Sequence, residues 1–123
     1  QIDWDNLAEE VGSLGRQEEQ RLQSQLARIF EHALKLRHAT RVAFDRDARA
    51  WRIGIRNARR HASKILRENP SLKRKLPAIL ADAYLDGRDA AMAALDLPER
   101  DIPETTSWTA AQVLESDLLL AEK

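Results

Sequence analysis

The chain contains no cysteine. That single absence excludes disulfides, thiolate metal sites and thiol catalysis, and it points to a reducing, cytoplasmic setting. No apolar run approaches the ~18 residues needed to span a bilayer, and no basic, apolar and small-residue signal pattern opens the sequence, so a membrane is not an expected partner. Glycine and proline number four each, and aromatic residues make up 5%. No alternating run of Val, Ile, Thr and Tyr and no Asn-Gly or Asp-Gly hairpin occurs, so strands are not expected. What remains is dominated by Ala, Leu, Arg and Glu, all good helix formers, and the expected fold class is all-α. At 123 residues the length predicts one helical domain, 1–123, with one core.

Net charge is zero, yet the charges are segregated. Residues 1–19 carry six acids against Arg16 alone, residues 20–76 carry sixteen bases against four acids, and residues 77–123 carry ten acids against three bases. Two arrangements satisfy this layout. The basic middle faces an acidic partner, or the acidic ends fold back onto it.

Apolar periodicity places the helices. Trp4, Leu7, Ala8, Val11 and Leu14 form a stripe for a first helix near 3–14, with Asp3 as N-cap. Gly12 and Gly15 weaken its end by ~1 kcal/mol each relative to Ala, which leaves open whether it stops or continues. Leu22, Leu26, Ile29, Phe30, Ala33, Leu34 and Leu36 give a wide apolar face to a central helix near 16–38. The stretch "HATRVAFDRD" reads as a connection, and a third helix is expected near 48–68, capped by Asp45 or Asp47. Pro70 ends it. Ser71 is a possible cap for a short turn at 72–76 before a main helix from about 77 to 95, because Pro77 fits only a first turn. "DLPERDIPETTS" reads as a two-proline linker. Thr109 and Gln112 then form a capping-box pattern, with Trp108 and Val113 at staple spacing, for a short helix at 110–116.

The segment "WRIGIRNARRHASKIL" carries the strongest functional signal. At 3.6 residues per turn Trp51, Ile55, Ala58, Ala62, Ile65 and Leu66 share one face, and Arg52, Arg56, Arg59, Arg60, Ser63 and Arg67 the opposite one. Arg49, Arg52, Arg56, Arg59, Arg60, Lys64 and Arg67 are therefore the candidate partner or nucleic-acid surface, with Arg46 close enough to widen it. Guanidinium groups in a row suit phosphates. Equally, the row is a solvated helix face paired with Glu9, Glu10, Glu18, Glu19, Asp82, Asp86 or Asp89. Neutral overall charge, the placement of Trp51 on the core side, and the lack of a zinc-finger, helix-turn-helix or phosphate-loop pattern weigh against nucleic acid.

The histidines lack metal-site spacing. Three residues before His32, His38 and His61 stand Ile29, Lys35 and Ala58, none of them acidic, so the Glu-x-x-His pairs of a di-iron bundle are missing. No metal, cofactor or catalytic residue is expected. His32 is the one with a conceivable acid/base partner, Glu9 or Glu10, and such a pair more often only pins two helices together. Trp4 and Trp108, at the two ends, are either exposed partner anchors or closures of the bundle; the staple favours closure for Trp108.

With the elements in place, "DWDNLAEEVGSLGRQE", "HALKL", "WRIGIRNARRHASKIL" with "NPSLKRKLP", "DAYLDGRDAA" and "PETTSWTAAQVLESD" together resemble the bacterial family called domain of unknown function 29, over essentially the whole chain. The opening and closing strings are the specific ones. The resemblance implies an all-helical fold, a bacterial source and an aromatic-containing helix ahead of Gln1, and it implies no activity. The connection "HATRVAFDRDARAW" departs from the family's polar, proline-containing version.

The expected architecture is an antiparallel bundle of about four main helices plus a short C-terminal helix. The expected function is a small non-catalytic interaction or regulatory module, its partner a second copy or another protein, with nucleic-acid binding on the basic face of the 48–68 helix as the alternative. Whether the acidic segments cover the arginines decides between them.

Overall fold

The computed structural model describes the backbone of residues 4–115 and the side chains of residues 15–115. Most of the described residues are helical, with α1 at Trp4–His38, α2 at Arg41–Glu68, a 3-10 turn at Pro70–Lys75, α3 at Leu76–Leu95, a second 3-10 turn at Glu99–Asp101 and α4 at Ala110–Glu115. The all-α expectation holds.

Three boundaries differ from the sequence expectation, each for a physical reason. The helices expected at 3–14 and 16–38 are one, because Gly15 sits inside α1 on an exposed position. The ~1 kcal/mol that a glycine costs in a helix is smaller than the cost of leaving a full turn of backbone groups without partners. The expected cap Asp3 lies outside the described residues. The expected connection "HATRVAFDRD" shrinks to Ala39 and Thr40. Thr40 is the N-cap of α2, its hydroxyl accepting from the Ala43 amide at 3.2 Å, in place of Asp45 or Asp47. Phe44 and Ala48 extend the buried stripe of Trp51 and Ile55 backwards by two turns, and it was the surrounding charges, now seen as the pairs Arg41–Asp45 and Arg46–Asp47, that disguised this stripe. Third, the turn before α3 spans Pro70–Lys75, with Asn69 rather than Ser71 at its N-cap position. The α3 boundary, with Pro77 in the first turn, matches within a residue.

The two-residue link makes α1 and α2 an antiparallel hairpin. Lys75 pairs with Glu19 at one end of α1, and Tyr84 and Gly87 of α3 meet Phe30 further along, so α3 runs beside α1 in the same direction. α1 therefore packs against both long neighbours, while α2 and α3 make little direct contact. This is why the apolar face of α1 is wide: Leu22, Leu26, Ile29, Phe30, Ala33, Leu34 and Leu36 are all buried. Each of these leucines, Ile29 and Phe30 contributes roughly 1.5–3 kcal/mol of transfer free energy.

Both helix pairs approach closely at a glycine. A Cβ on Gly54 of α2 would stand 2.6 Å from Nε2 of His32, and one on Gly87 of α3 would stand 2.6 Å from the Ala27 carbonyl oxygen and 2.7 Å from the Phe30 Cβ.

The chain leaves α3 through Asp96, which takes a left-handed φ of 54°, a region that Asp tolerates better than most residues. Residues 96–115 then cross back as a strap over the core. Three side chains hold the strap by its carbonyls. Arg88 donates to Ile102 O at 3.0 Å and Glu99 O at 2.8 Å, Tyr84 to Pro103 O at 2.7 Å, and Arg59 to Val113 O at 2.8 Å and Gln112 O at 3.0 Å. Ile102 and Val113 are fully buried, and Trp108 stacks on Phe30 with centroids 6.2 Å apart. The capping box forms reciprocally: Thr109 N–H donates to Gln112 Oε1 at 2.8 Å, and Gln112 N–H to Thr109 Oγ1 at 3.1 Å. Trp108 thus closes the core, as its staple spacing suggested; the side chain of Trp4 lies outside the described ones.

Candidate interaction surface on the second helix

The buried side of α2 consists of Phe44, Ala48, Trp51, Ile55, Ala58, Ala62, Ile65 and Leu66. At 3.6 residues per turn, Val42, Arg46, Arg49, Ile53, Arg56, Arg60, Lys64 and Arg67 point within about 40° of one common direction, away from that side. All eight are exposed. The expected partner face is thereby divided. Arg49, Arg56, Arg60, Lys64 and Arg67 stand on the outward stripe. Arg52 and Arg59 lie about a quarter turn away, toward the strap, and both are half-buried. Arg59 is committed to the carbonyls of α4, and Arg52 lies over the Phe44 ring at 5.6 Å.

Among the described residues, the acidic side chains do not lie over this stripe. No ion pair among the described residues joins Arg49, Arg56, Arg60 or Arg67 to any acid, and Lys64 meets only Glu68 of its own helix, at 4.0 Å. Of the acids considered as covers, Glu18 pairs with Arg21, Glu19 with Lys75, and Asp86 accepts from Gln23. Asp82 and Asp89 stand exposed on α3, on the other flank of α1. The side chains of Glu9 and Glu10 lie outside the described ones. Electrostatics along α2 therefore change from one end to the other. In the first turns Arg46 and Asp47 pair at 2.8 Å, and that hydrogen bond pulls the Asp47 carboxyl below, and the Arg46 guanidinium above, its ordinary value. Beyond Asp47 no acid appears before Glu68.

Sequence reasoning passed over two residues of this surface. Ile53 is 44% exposed and Val42 75%, both within the basic stripe; the spacing 42, 46, 49, 53, 56, 60 would have found them. A third exposed apolar residue, Leu85, at 45%, sits on α3. Arg88, buried beneath the strap, was missed as well, since an arginine within a helix carries no sign of being turned inward.

The histidines do not converge. His32 is partly buried against Gly54, its Nδ1 without a hydrogen-bond partner among the described residues. Burial pushes its pKa below the ordinary imidazole value, against an opposing pull from Glu31. Glu31 is itself held by Lys35 at 2.6 Å. His61 is exposed, on the rim of a groove of about 660 Å³ between α1 and α2, walled on the α1 side by Gln17, Gln20, Arg21, Ser24 and Gln25 and on the α2 side by Lys64, Ile65 and Glu68. Among the described residues no group of three metal-ligating side chains comes together, and no helix is long and apolar enough to cross a membrane.

Comparison with known proteins adds a family and no activity. No curated protein and no solved structure matches the chain. The family described as Domain of unknown function DUF29 matches residues 1–119, and the chain belongs to it.

Proposed function

We propose that the chain is a non-catalytic interaction module that presents α2 as a docking helix to an anionic protein surface. One observation carries the reading: Arg49, Arg56, Arg60 and Arg67 stand exposed on a single stripe of a 28-residue helix, with no ion pair to any described residue. Such a row is electrostatically unfavourable for the isolated chain, since like charges four apart repel by a few tenths of a kcal/mol per pair. An anionic partner turns that cost into attraction. Ile53, at the middle of the stripe, supplies apolar area where protein interfaces have their desolvated centre.

The same arginines give a second reading, a phosphate backbone laid along α2. The composition of the face supports the protein partner more strongly. Its apolar members are aliphatic, Trp51 is buried on the other side, and no aromatic ring is available on the stripe for base stacking.

Titrating the chain with a fluorescent Glu-rich helical peptide and with a short DNA duplex, each over a salt series, tests both. The expected result is peptide binding that weakens with salt and is lost in the R49Q/R56Q/R60Q/R67Q variant. Tighter duplex binding with a steeper salt slope reverses the order of the two readings. Binding of neither removes both.

A further inference from the structure

Resting on the docking reading, we infer that the occupant of the α2 stripe is the α3 face of a second copy of this chain. The outward side of α3 carries Asp82, Leu85 and Asp89, all exposed, with Asp86 at its edge. It mirrors the α2 stripe in kind: an exposed aliphatic residue flanked by charges, acidic where α2 is basic. It also mirrors it in spacing. Ile53 has Arg49 four residues before it and Arg56 three after, whereas Leu85 has Asp82 three before it and Asp89 four after.

That inversion selects an orientation. Laid antiparallel with Ile53 on Leu85 of the other copy, Arg49 comes opposite Asp89 and Arg56 opposite Asp82, both in register. Laid parallel, each charge misses its partner by one residue, about 1.5 Å along the axis and 100° around it. Helices in contact sit 8–10 Å apart at their axes, a separation that an arginine reaches across to a carboxylate on the facing helix. Neither Asp82 nor Asp89 has an ion-pair partner among the described residues, and the α2 stripe of the same copy does not serve them, since α2 and α3 scarcely touch. A chain whose charges sum to zero, while Arg49, Arg56, Asp82 and Asp89 make no ion pair among the described residues, fits a molecule whose compensation is intermolecular. Because the two surfaces differ, each copy offers both halves of the contact, so one pair of copies makes either one contact or two.

Molar mass by light scattering against concentration, at low and high ionic strength, tests this with the full chain. Wild type is expected to exceed its 14.0 kDa monomer mass at low salt and to return toward it at high salt. The R49D/R56D variant and the D82R/D89R variant, both changed only on exposed positions and checked for helicity by circular dichroism, are each expected to weaken association at least about tenfold. The chain carrying all four substitutions, or an equimolar mixture of the two variants, is expected to regain it. A wild type that stays monomeric up to roughly 1 mM, the range of the weakest specific complexes, overturns the inference, as does association that R49D/R56D leaves unchanged or that recombination fails to restore. If wild type stays monomeric while the Glu-rich peptide still binds α2, the docking reading stands and only the second copy falls.

Discussion

Gly87 and Gly15 lie in helices of the same molecule and predict opposite outcomes for the same substitution. The space that a methyl would take at Gly87 is already filled by the Ala27 carbonyl oxygen at 2.6 Å, the Phe30 Cβ at 2.7 Å and the Glu31 nitrogen at 2.9 Å. None of these is the far end of a flexible side chain, so Gly87→Ala must separate α1 from α3 and is expected to cost about 2–3 kcal/mol, the range for overpacking a tight core. At Gly15 nothing lies within 4 Å, and Gly15→Ala is expected to stabilise by about 0.5–1 kcal/mol through helix propensity. Thermal melts of the two variants against wild type check both, and equal shifts would contradict the close approach. His32 predicts a pH dependence. Because burial holds its pKa below the ordinary value near 6.5, the unfolded chain takes up a proton first as pH falls. Stability is therefore complete above 6.5 and declines as pH drops from there toward the folded pKa. His32→Gln should flatten that part of the Tm–pH curve, below about pH 6.5, relative to wild type.

At the scale of elements, the strap is held by donors on the helices it crosses. Arg88, 7% exposed, serves two carbonyls of residues 99–102, and hydrogen bonds from a charged donor are worth roughly 1.5–3 kcal/mol each. Arg88→Met is expected to lower stability by about 3 kcal/mol and to speed amide exchange selectively in 99–113, with α1 and α2 little affected; uniform exchange would mean that the strap is not a separate unit. The elements also show how much could be read in advance. The wide face of α1, the core side of α2 and the capping box of α4 follow from periodicity and local chemistry, and they stand as expected. The start of α2 did not, because Arg41, Asp45, Arg46 and Asp47 masked the stripe of Phe44, Ala48 and Trp51. The division of the arginines was legible only in part: helical spacing sets Arg52 and Arg59 a quarter turn off the stripe, but not that the strap lies on that side. Arg59 and Arg60 are neighbours in sequence, and only the path of the strap, whose route depends on contacts some fifty residues away, takes one and leaves the other.

For the whole molecule, the α2 stripe sets stability against docking. Arg60 has Arg56 four residues before it and Lys64 four after, so Arg60→Glu replaces two repulsive pairs with two attractive ones. Summed over both, that is worth about 1 kcal/mol, or roughly 4 °C in Tm for a chain of this size. The same variant is expected to lose affinity for the Glu-rich peptide. A rise in Tm with unchanged peptide affinity would place the docking surface elsewhere. The uncovered stripe is the part of the site that composition alone left undecided, since a net charge of zero is compatible with quenching inside one copy or between two.

The hairpin also has a consequence in time. Ala39 and Thr40 close α1 onto α2 with no long loop, so in a chain emerging N-terminus first that pair can form before Leu76 emerges. During that interval Phe30 and Leu34, the α1 side chains that meet Tyr84 and the strap, face water. Their cover arrives in two instalments, α3 first and then Trp108 and Val113 at the far end of the strap. The time residues 69–113 take to emerge and dock therefore sets how long the apolar flank of α1 stands open to other chains.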